Sequence, residues 1–136
     1  MKSSRILIDT CIYISWIREQ HLDILEESRT NIIHFSAIVY SELLTGAFTA
    51  KDQKIVKSIR NHFEYNNRFQ GINASIAQDV GDVLREIERP KESIFADVII
   101  AMTGKHIGAE IWTQNAKDFE AINKIKAFKL RTFSSK

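Results

Sequence analysis

The chain has 136 residues, 44% of them hydrophobic and 26% charged, with a formal net charge of +2. That length suits one domain with a real core, and the composition is that of an ordinary globular protein. The charge is too small to identify a nucleic-acid binder and does not exclude one. Cys11 is the only cysteine, which excludes a disulfide framework and a thiolate metal cluster and points to a reducing, cytosolic setting. Lys2 and Arg5 precede apolar residues, as in a signal peptide, but Asp9 interrupts the run and no small-residue cleavage site follows. No stretch is long and apolar enough to span a membrane. A cytoplasmic protein is therefore expected.

Arg5 to Asp9 reads as a short buried strand, apolar with a polar stop. Thr10 is placed to cap a helix carrying Ile12/Trp16 and Tyr13/Ile17 at i,i+4 spacing. A second strand is expected over Asn31 to Phe35. Ser36 offers an N-cap for a helix to about Phe48, with Val39, Leu43 and Ala47 on one stripe and Glu42 beside it. Helical spacing runs from Lys51 to Phe63, and Gly71 ends a short strand-like piece. Asn73 caps a helix through Ile76, Val80, Val83, Leu84 and Ile87, stopped by Pro90. Ile94 to Ile107 is apolar on nearly every side, so a buried helix is expected, ended by Gly108. Glu110 to Thr113 is the next strand, Ala116 to Ile122 a short helix and Ala127 to Phe133 the last strand. Strands separated by helices argue for an α/β fold around a mostly parallel sheet.

Several chemistries lack their residues. The five glycines form neither a dinucleotide fingerprint nor a phosphate-binding loop, and there is no G-x-S-x-G. His21, His34, His62 and His106 show no zinc-ligand spacing, and surface or half-buried roles are expected for them. Cys11 reads as a small buried thiol rather than a nucleophile. What remains is acidic: Asp9 at the end of the first strand, Glu42, Asp97, and Asn115 with Asp118 after the run Ile111-Trp112-Thr113. Ligands of open α/β sheets bind beyond the carboxyl ends of the strands, and carboxylates gathered there suit a hard divalent cation. Each acid also has a plain structural role available, as a strand stop (Asp9), a helix-face acid (Glu42) or a helix-dipole partner (Asp97, Asp118). Asp97 fits that role least, because Ile94-Phe95-Ala96-Asp97-Val98-Ile99-Ile100-Ala101 surrounds it with apolar residues. Asp79, Asp82 and Glu86 fall on a polar helix face and are expected to meet solvent.

Four segments carry a resemblance. They are Ile6-Leu7-Ile8-Asp9-Thr10, Ser36 to Ala47 around Glu42, Ala96-Asp97-Val98-Ile99-Ile100-Ala101, and Thr113-Gln114-Asn115-Ala116-Lys117-Asp118-Phe119. In order and separation the chain resembles a PIN-domain ribonuclease of the VapC type, the toxin of a toxin–antitoxin pair. The resemblance implies a single domain over residues 1–136 with a three-layer α/β/α fold and a central, mostly parallel sheet. It further implies a Mg²⁺- or Mn²⁺-dependent endoribonuclease, usually a homodimer, inhibited by a cognate antitoxin. By position Asp9, Glu42 and Asp97 match the family's metal-site acids, and Asn115 its fourth position. Thr113 matches an orienting hydroxyl, and Asp118 an acid three residues beyond Asn115. Thr10 is a supporting residue beside Asp9. Cys11 stands where the family often has asparagine, so a hydrogen bond made by that amide is expected to be lost.

On this reading divalent cations let RNA approach the clustered acids, activate water and stabilise the leaving oxygen, giving 5′-phosphate and 3′-hydroxyl ends. Lys91, Lys105 and Lys117 are candidate backbone contacts. Apolar residues of the early helices, Tyr13, Trp16 and Ile17 among them, are expected to form a two-fold homodimer patch or an antitoxin groove, with burial in the core as the alternative. Two other classes compete: a PIN-like scaffold that binds RNA or protein without cutting, and a phosphohydrolase using Asp9 as nucleophile. The second lacks the aspartate expected where Cys11 stands.

Overall fold

The computed structural model of the chain describes residues 4–19 and 30–134. Five strands, β1 (Ser4–Ile8), β2 (Asn31–Ser36), β3 (Phe69–Gln70), β4 (Glu110–Thr113) and β5 (Lys129–Thr132), form one sheet in the order β3-β2-β1-β4-β5. Every pairing is parallel. Among the described residues six helices join them: α1 (Thr10–Glu19), α2 (Ala37–Thr45), α3 (Ala50–Tyr65), α4 (Ala74–Glu86), α5 (Lys91–Ile107) and α6 (Ala116–Ile125).

Successive parallel strands need crossovers, and right-handed crossovers place the helices by the direction in which the chain steps. From β1 to β3 it steps one way, setting α1 and α3 on one face; from β3 to β5 it steps back, setting α4, α5 and α6 on the other. The packing agrees. On the first face Phe35 of β2 meets Tyr13 of α1 edge-on at 5.2 Å and stacks on Phe63 of α3 at 5.3 Å. On the second, Ile111 of β4 reaches into the notch left by Gly104 of α5. The three central strands β2, β1 and β4 are buried on both faces toward their carboxyl ends, so Ile6, Leu7 and Ile8 are all core, whereas the edge strand β5 is mostly exposed.

The step reverses between β1 and β4, the switch point at which open α/β sheets place their sites. Asp9 follows β1 there, and its N–H extends the ladder to the Trp112 carbonyl at 2.8 Å. Because α5 leads into β4, its N-terminal end lies at the same carboxyl edge of the sheet, bringing Asp97 with it.

Several boundaries differ from expectation. The second helix ends at Thr45, leaving Phe48 87% exposed in the following loop. The helix after Asn73 ends at Glu86, before Pro90 rather than against it. α5 begins at Lys91, directly after Pro90, because its first turn is exposed and polar. Ser36 and Asn73 do cap their helices, accepting from the N–H groups of Ile38 and Ile76, and Gly108 closes α5 with a left-handed φ of 68°. Thr10 is already the first residue of α1, and its hydroxyl is engaged elsewhere. Tyr13 is core at 1% exposure, while Trp16 and Ile17 are half-buried. Asp79 and Asp82 are tied up rather than free in solvent: Lys105 and Lys126 converge on Asp79, and Arg85 and Lys126 on Asp82. His34 is buried and its Nδ1 faces the Gln70 amide; His21 lies outside the described residues. Among the described residues no helix is long and apolar enough to cross a membrane.

Candidate active site

Asp9 is 5% exposed at the end of β1. Its Oδ1 accepts the Thr10 N–H at 2.7 Å, and its Oδ2 accepts the Thr113 hydroxyl at 2.7 Å and the Cys11 thiol at 3.4 Å. Burial still outweighs these bonds and holds its carboxyl above the ordinary aspartate range. Thr10 reaches the other way, donating from Oγ1 to Glu42 Oε1 at 2.6 Å and so joining α1 to α2. Thr10 thus joins the two acids, its backbone N–H on Asp9 and its hydroxyl, which could have capped α1, on Glu42.

Thr113 ends β4. Its hydroxyl donates to Asp9 and accepts the Asn115 N–H at 3.0 Å, which folds the chain back toward Asp9. The Asn115 side chain does not cap α6; its Nδ2 donates to Asp97 Oδ2 and to Asp118 Oδ2, both at 3.1 Å. An amide oxygen in that place would face two carboxylates, so only this orientation is favourable. Asp118, in the first turn of α6, receives Arg89 Nε on its other oxygen at 3.4 Å. The result is one continuous line of contacts: Glu42, Thr10, Asp9, Thr113, Asn115, then Asp97 and Asp118, ending at Arg89.

Asp97 is pushed up to about 7, first by burial, then by the charges of Asp9, Asp118 and Glu42, with only the Asn115 amide opposing. The charges of Asp9, Asp118 and Glu42 thus all act on Asp97. Hydroxyls and an amide bridge them, and among the described residues no three acidic, histidine or cysteine side chains close a metal cage by themselves. Also among the described residues, no cation pairs with Asp9, Glu42 or Asp97.

Cys11 replaces the expected loss with contacts of its own. Its Sγ donates to Asp9 and accepts the Gln114 N–H at 3.3 Å. Burial, then the Asp9 charge, push the thiol up to about 12, so it stays neutral and a donor.

Of the suggested lysines, Lys105 pairs with Asp79 at the far end of α5, and the Lys91 ammonium sits on the Ile87 carbonyl. Lys117 is exposed beside Asp118. Sequence reasoning missed Arg89. Its signal was position alone, a basic residue one place before Pro90 at the approach to the helix carrying Asp97. It also missed a groove of about 130 Å³ lined by Glu42 itself, by the apolar Ile14, Ile17, Leu43 and Val56, and by Arg18 and Asp52.

An all-parallel α/β sheet with acids gathered at its switch point defines a class of site built for hard cations or for polar substrates approached through them. The PIN domain family profile matches residues 6–125, and the chain belongs to that family, whose members are generally nucleases. The fold is that of solved toxin–antitoxin structures. A DNA-bound VapBC from Salmonella typhimurium is 19% identical, with a TM-score of 0.69 over 95% of this chain and 98% of that one. VapBC2 from Rickettsia felis, bound to a promoter DNA fragment, is 23% identical, with a TM-score of 0.65 over 96% and 99%. A toxin–antitoxin complex from Klebsiella pneumoniae is 20% identical, with a TM-score of 0.68 over 96% and 99%. No curated protein matches by sequence comparison.

Proposed function

We propose that this protein is a divalent-metal-dependent endoribonuclease, the toxin of a toxin–antitoxin pair, with Asp9, Glu42 and Asp97 holding Mg²⁺ or Mn²⁺. The observation that carries the proposal is Asp97, a half-buried carboxylate pressed by three other acids and paired with no cation among the described residues. Uncompensated charge of that kind is costly unless a cation enters. The donors fit a hard ion. Among the described residues Asp97 Oδ1 and Glu42 Oε2 accept no hydrogen bond and Asp9 Oδ1 accepts one, so each acid keeps a lone pair to offer. Bound there, Mg²⁺ or Mn²⁺ supplies Lewis acidity to the phosphodiester and lowers the pKa of water.

The chain's own residues do the rest. Thr113 and Thr10 fix Asp9 from both sides, and Asn115 aims Asp97. Glu42, bonded among the described residues through one oxygen, keeps the other to orient the attacking water. Asp118 supports Asn115 rather than reaching into the centre. Hydrolysis of this kind leaves 5′-phosphate and 3′-hydroxyl ends. The complexes that share the fold support an antitoxin partner, and the groove beside Glu42 offers apolar walls for a partner segment. A homodimer in the cytoplasm completes the reading.

The test is cleavage of a generic single-stranded RNA by the purified chain. Cleavage with Mg²⁺ or Mn²⁺, abolished by chelation and by Asp97→Asn in a folded protein, is expected. Equal cleavage in chelator, or an Asp97→Asn variant as active as the wild type, would remove the reading.

A further inference from the structure

We infer that Arg89 is a substrate-positioning residue that takes a backbone phosphate of the RNA at the Asp118 end of the site. The inference rests on the nuclease reading and adds to it the group that receives the substrate's charge. Arg89 lies in the connection between α4 and α5, just before Pro90, and its side chain turns back onto Asp118 of α6. Among the described residues it is the cation paired with an acid of the site. Of the other basic side chains near these helices, Lys105 and Lys126 are held on Asp79, Arg85 on Asp82 and Lys91 on a carbonyl, while Lys117 is exposed without an ion pair among the described residues.

The geometry leaves most of the guanidinium available. A guanidinium has five N–H donors. Here Nε meets Asp118 Oδ1 at 3.4 Å and Nη1 meets its neighbour's carbonyl, Glu88 O, at 3.2 Å. The Nη2 end has no acceptor among the described residues, and the side chain is 32% exposed. A long contact through Nε alone is not the bidentate fork that arginine makes with a carboxylate when the pair is optimised. Asp118 thus holds the planar group by one edge and leaves another turned outward. An incoming phosphate offers two oxygens in the geometry of that fork.

Placement says where the phosphate lies. Arg89 ends the line of contacts at the opposite end from Glu42, beyond Asp97 and Asn115. The line of contacts therefore runs from Glu42 at one end to the Arg89 guanidinium at the other. A polyanion crossing it meets Arg89 on the Asp118 side, and the strand is oriented by that asymmetry. The lone ammonium of a lysine could supply charge there but not the fork.

The experiment measures RNA binding by fluorescence anisotropy across a salt series in Mg²⁺, with cleavage followed in parallel. The variants are Arg89→Ala, Arg89→Lys, Asp118→Asn, the Arg89→Ala/Asp118→Asn double variant, and Lys105→Ala as a charge-matched control. Arg89→Ala is expected to weaken binding roughly tenfold and to make the log–log salt slope shallower by about 1. Lys105→Ala leaves that slope unchanged. Arg89→Lys recovers the slope but not all of the affinity. The loss persists when Asp118 is neutral. If Arg89 served only to neutralise Asp118, the double variant would bind like Asp118→Asn, and that result overturns the inference, as does an unchanged slope in Arg89→Ala. Binding without cleavage by the wild type would overturn the nuclease reading and leave the Arg89 assignment standing; no RNA binding by the wild type would overturn both.

Discussion

Thr113 donates its hydroxyl to Asp9 at 2.7 Å across a sequence separation of 104 residues, and the same oxygen accepts the Asn115 N–H. One buried hydroxyl thus sets both the first acid and the start of the segment carrying Asn115 and Asp118. Thr113→Val keeps the shape and removes both bonds. Asp9 loses its shortest side-chain donor, and a backbone N–H loses its acceptor, at a cost of about 1–3 kcal/mol. If the acids hold a metal, its affinity should also fall about 10–100-fold, as it does when a partner that orients a ligand is removed. Denaturation and Mn²⁺ titration by calorimetry check the two effects separately. A variant with wild-type metal affinity would mean that Asp9 needs no orienting.

Asp97 makes stability depend on pH in a direction opposite to most carboxylates. Its folded-state value, about 7, lies above the ordinary 3.8, so the folded protein binds this proton more tightly than the unfolded chain. The contribution is fully present below about pH 4 and is lost as the pH rises toward 7. Discounted for part exposure, the loss is on the order of 1–2 kcal/mol. His34, whose value is lowered by burial first and then by Arg5 and Arg68, acts in the opposite sense as the pH falls through its ordinary 6.5. The comparison is therefore wild type against Asp97→Asn in chelator. Asp9, also raised, contributes to both proteins, so the wild type should lose more stability than the variant between pH 4 and 7, and Mg²⁺ should restore it. Parallel curves for the two proteins would mean that neither burial nor the neighbouring acids raise Asp97.

The close fit between α5 and the sheet can be tested apart from the site. A Cβ on Gly104 would collide with Ile111 Cδ1 and lie 3.1 Å from its Cγ1. Both residues are buried, so Gly104→Ala should cost about 1–3 kcal/mol through overpacking. Ile111→Val removes the nearer atom, and the double variant should recover a large part of that loss. Chemical denaturation of the two single variants and the double variant reads this directly. A neutral Gly104→Ala would mean that α5 shifts without penalty.

Periodicity and residue type made the fold readable. Ile6-Leu7-Ile8 and Ile111-Trp112-Thr113 are apolar runs with polar stops, and such runs buried on both faces signal parallel strands. Asp97 stood out because its neighbours are apolar while it is not. What escaped depends on partners distant in sequence. Tyr13 has helical spacing whether its face meets the core or solvent, and only Phe35 decides that it is core. Thr10 has a cap's position and residue type, yet Glu42, 32 residues away, takes its hydroxyl. Asp79 lies on a polar stripe of α4 that meets Lys105 and Lys126 once α5 and α6 pack beside it. Arg89 and Asp118 are joined only through the packing of their loop and helix. Local pattern carries elements; charge pairing across elements is tertiary.

Asn115 offers the sharpest test of how many positions the site has. Its amide donates to Asp97 and Asp118 at once, so it both separates two like charges and holds them in place. Asn115→Asp turns that bridge into a third carboxylate. Without metal, stability should fall, because two donors are lost and repulsion is added. With metal, the added charge should tighten cation binding, so the rise in melting temperature caused by Mn²⁺ should exceed that of the wild type. Asn115→Ala removes the donors without adding charge, and cleavage should slow with a smaller change in metal response. Asp118→Ala leaves Asn115 one acceptor and releases Arg89, so its effect should appear mainly in RNA binding. Melting temperatures with and without Mn²⁺, beside cleavage rates for all three and for Asp97→Asn, separate the roles. If Asn115→Ala and Asp118→Ala both cleave RNA at the wild-type rate while Asp97→Asn does not, the working site is the three carboxylates alone, and the amide bridge is architecture.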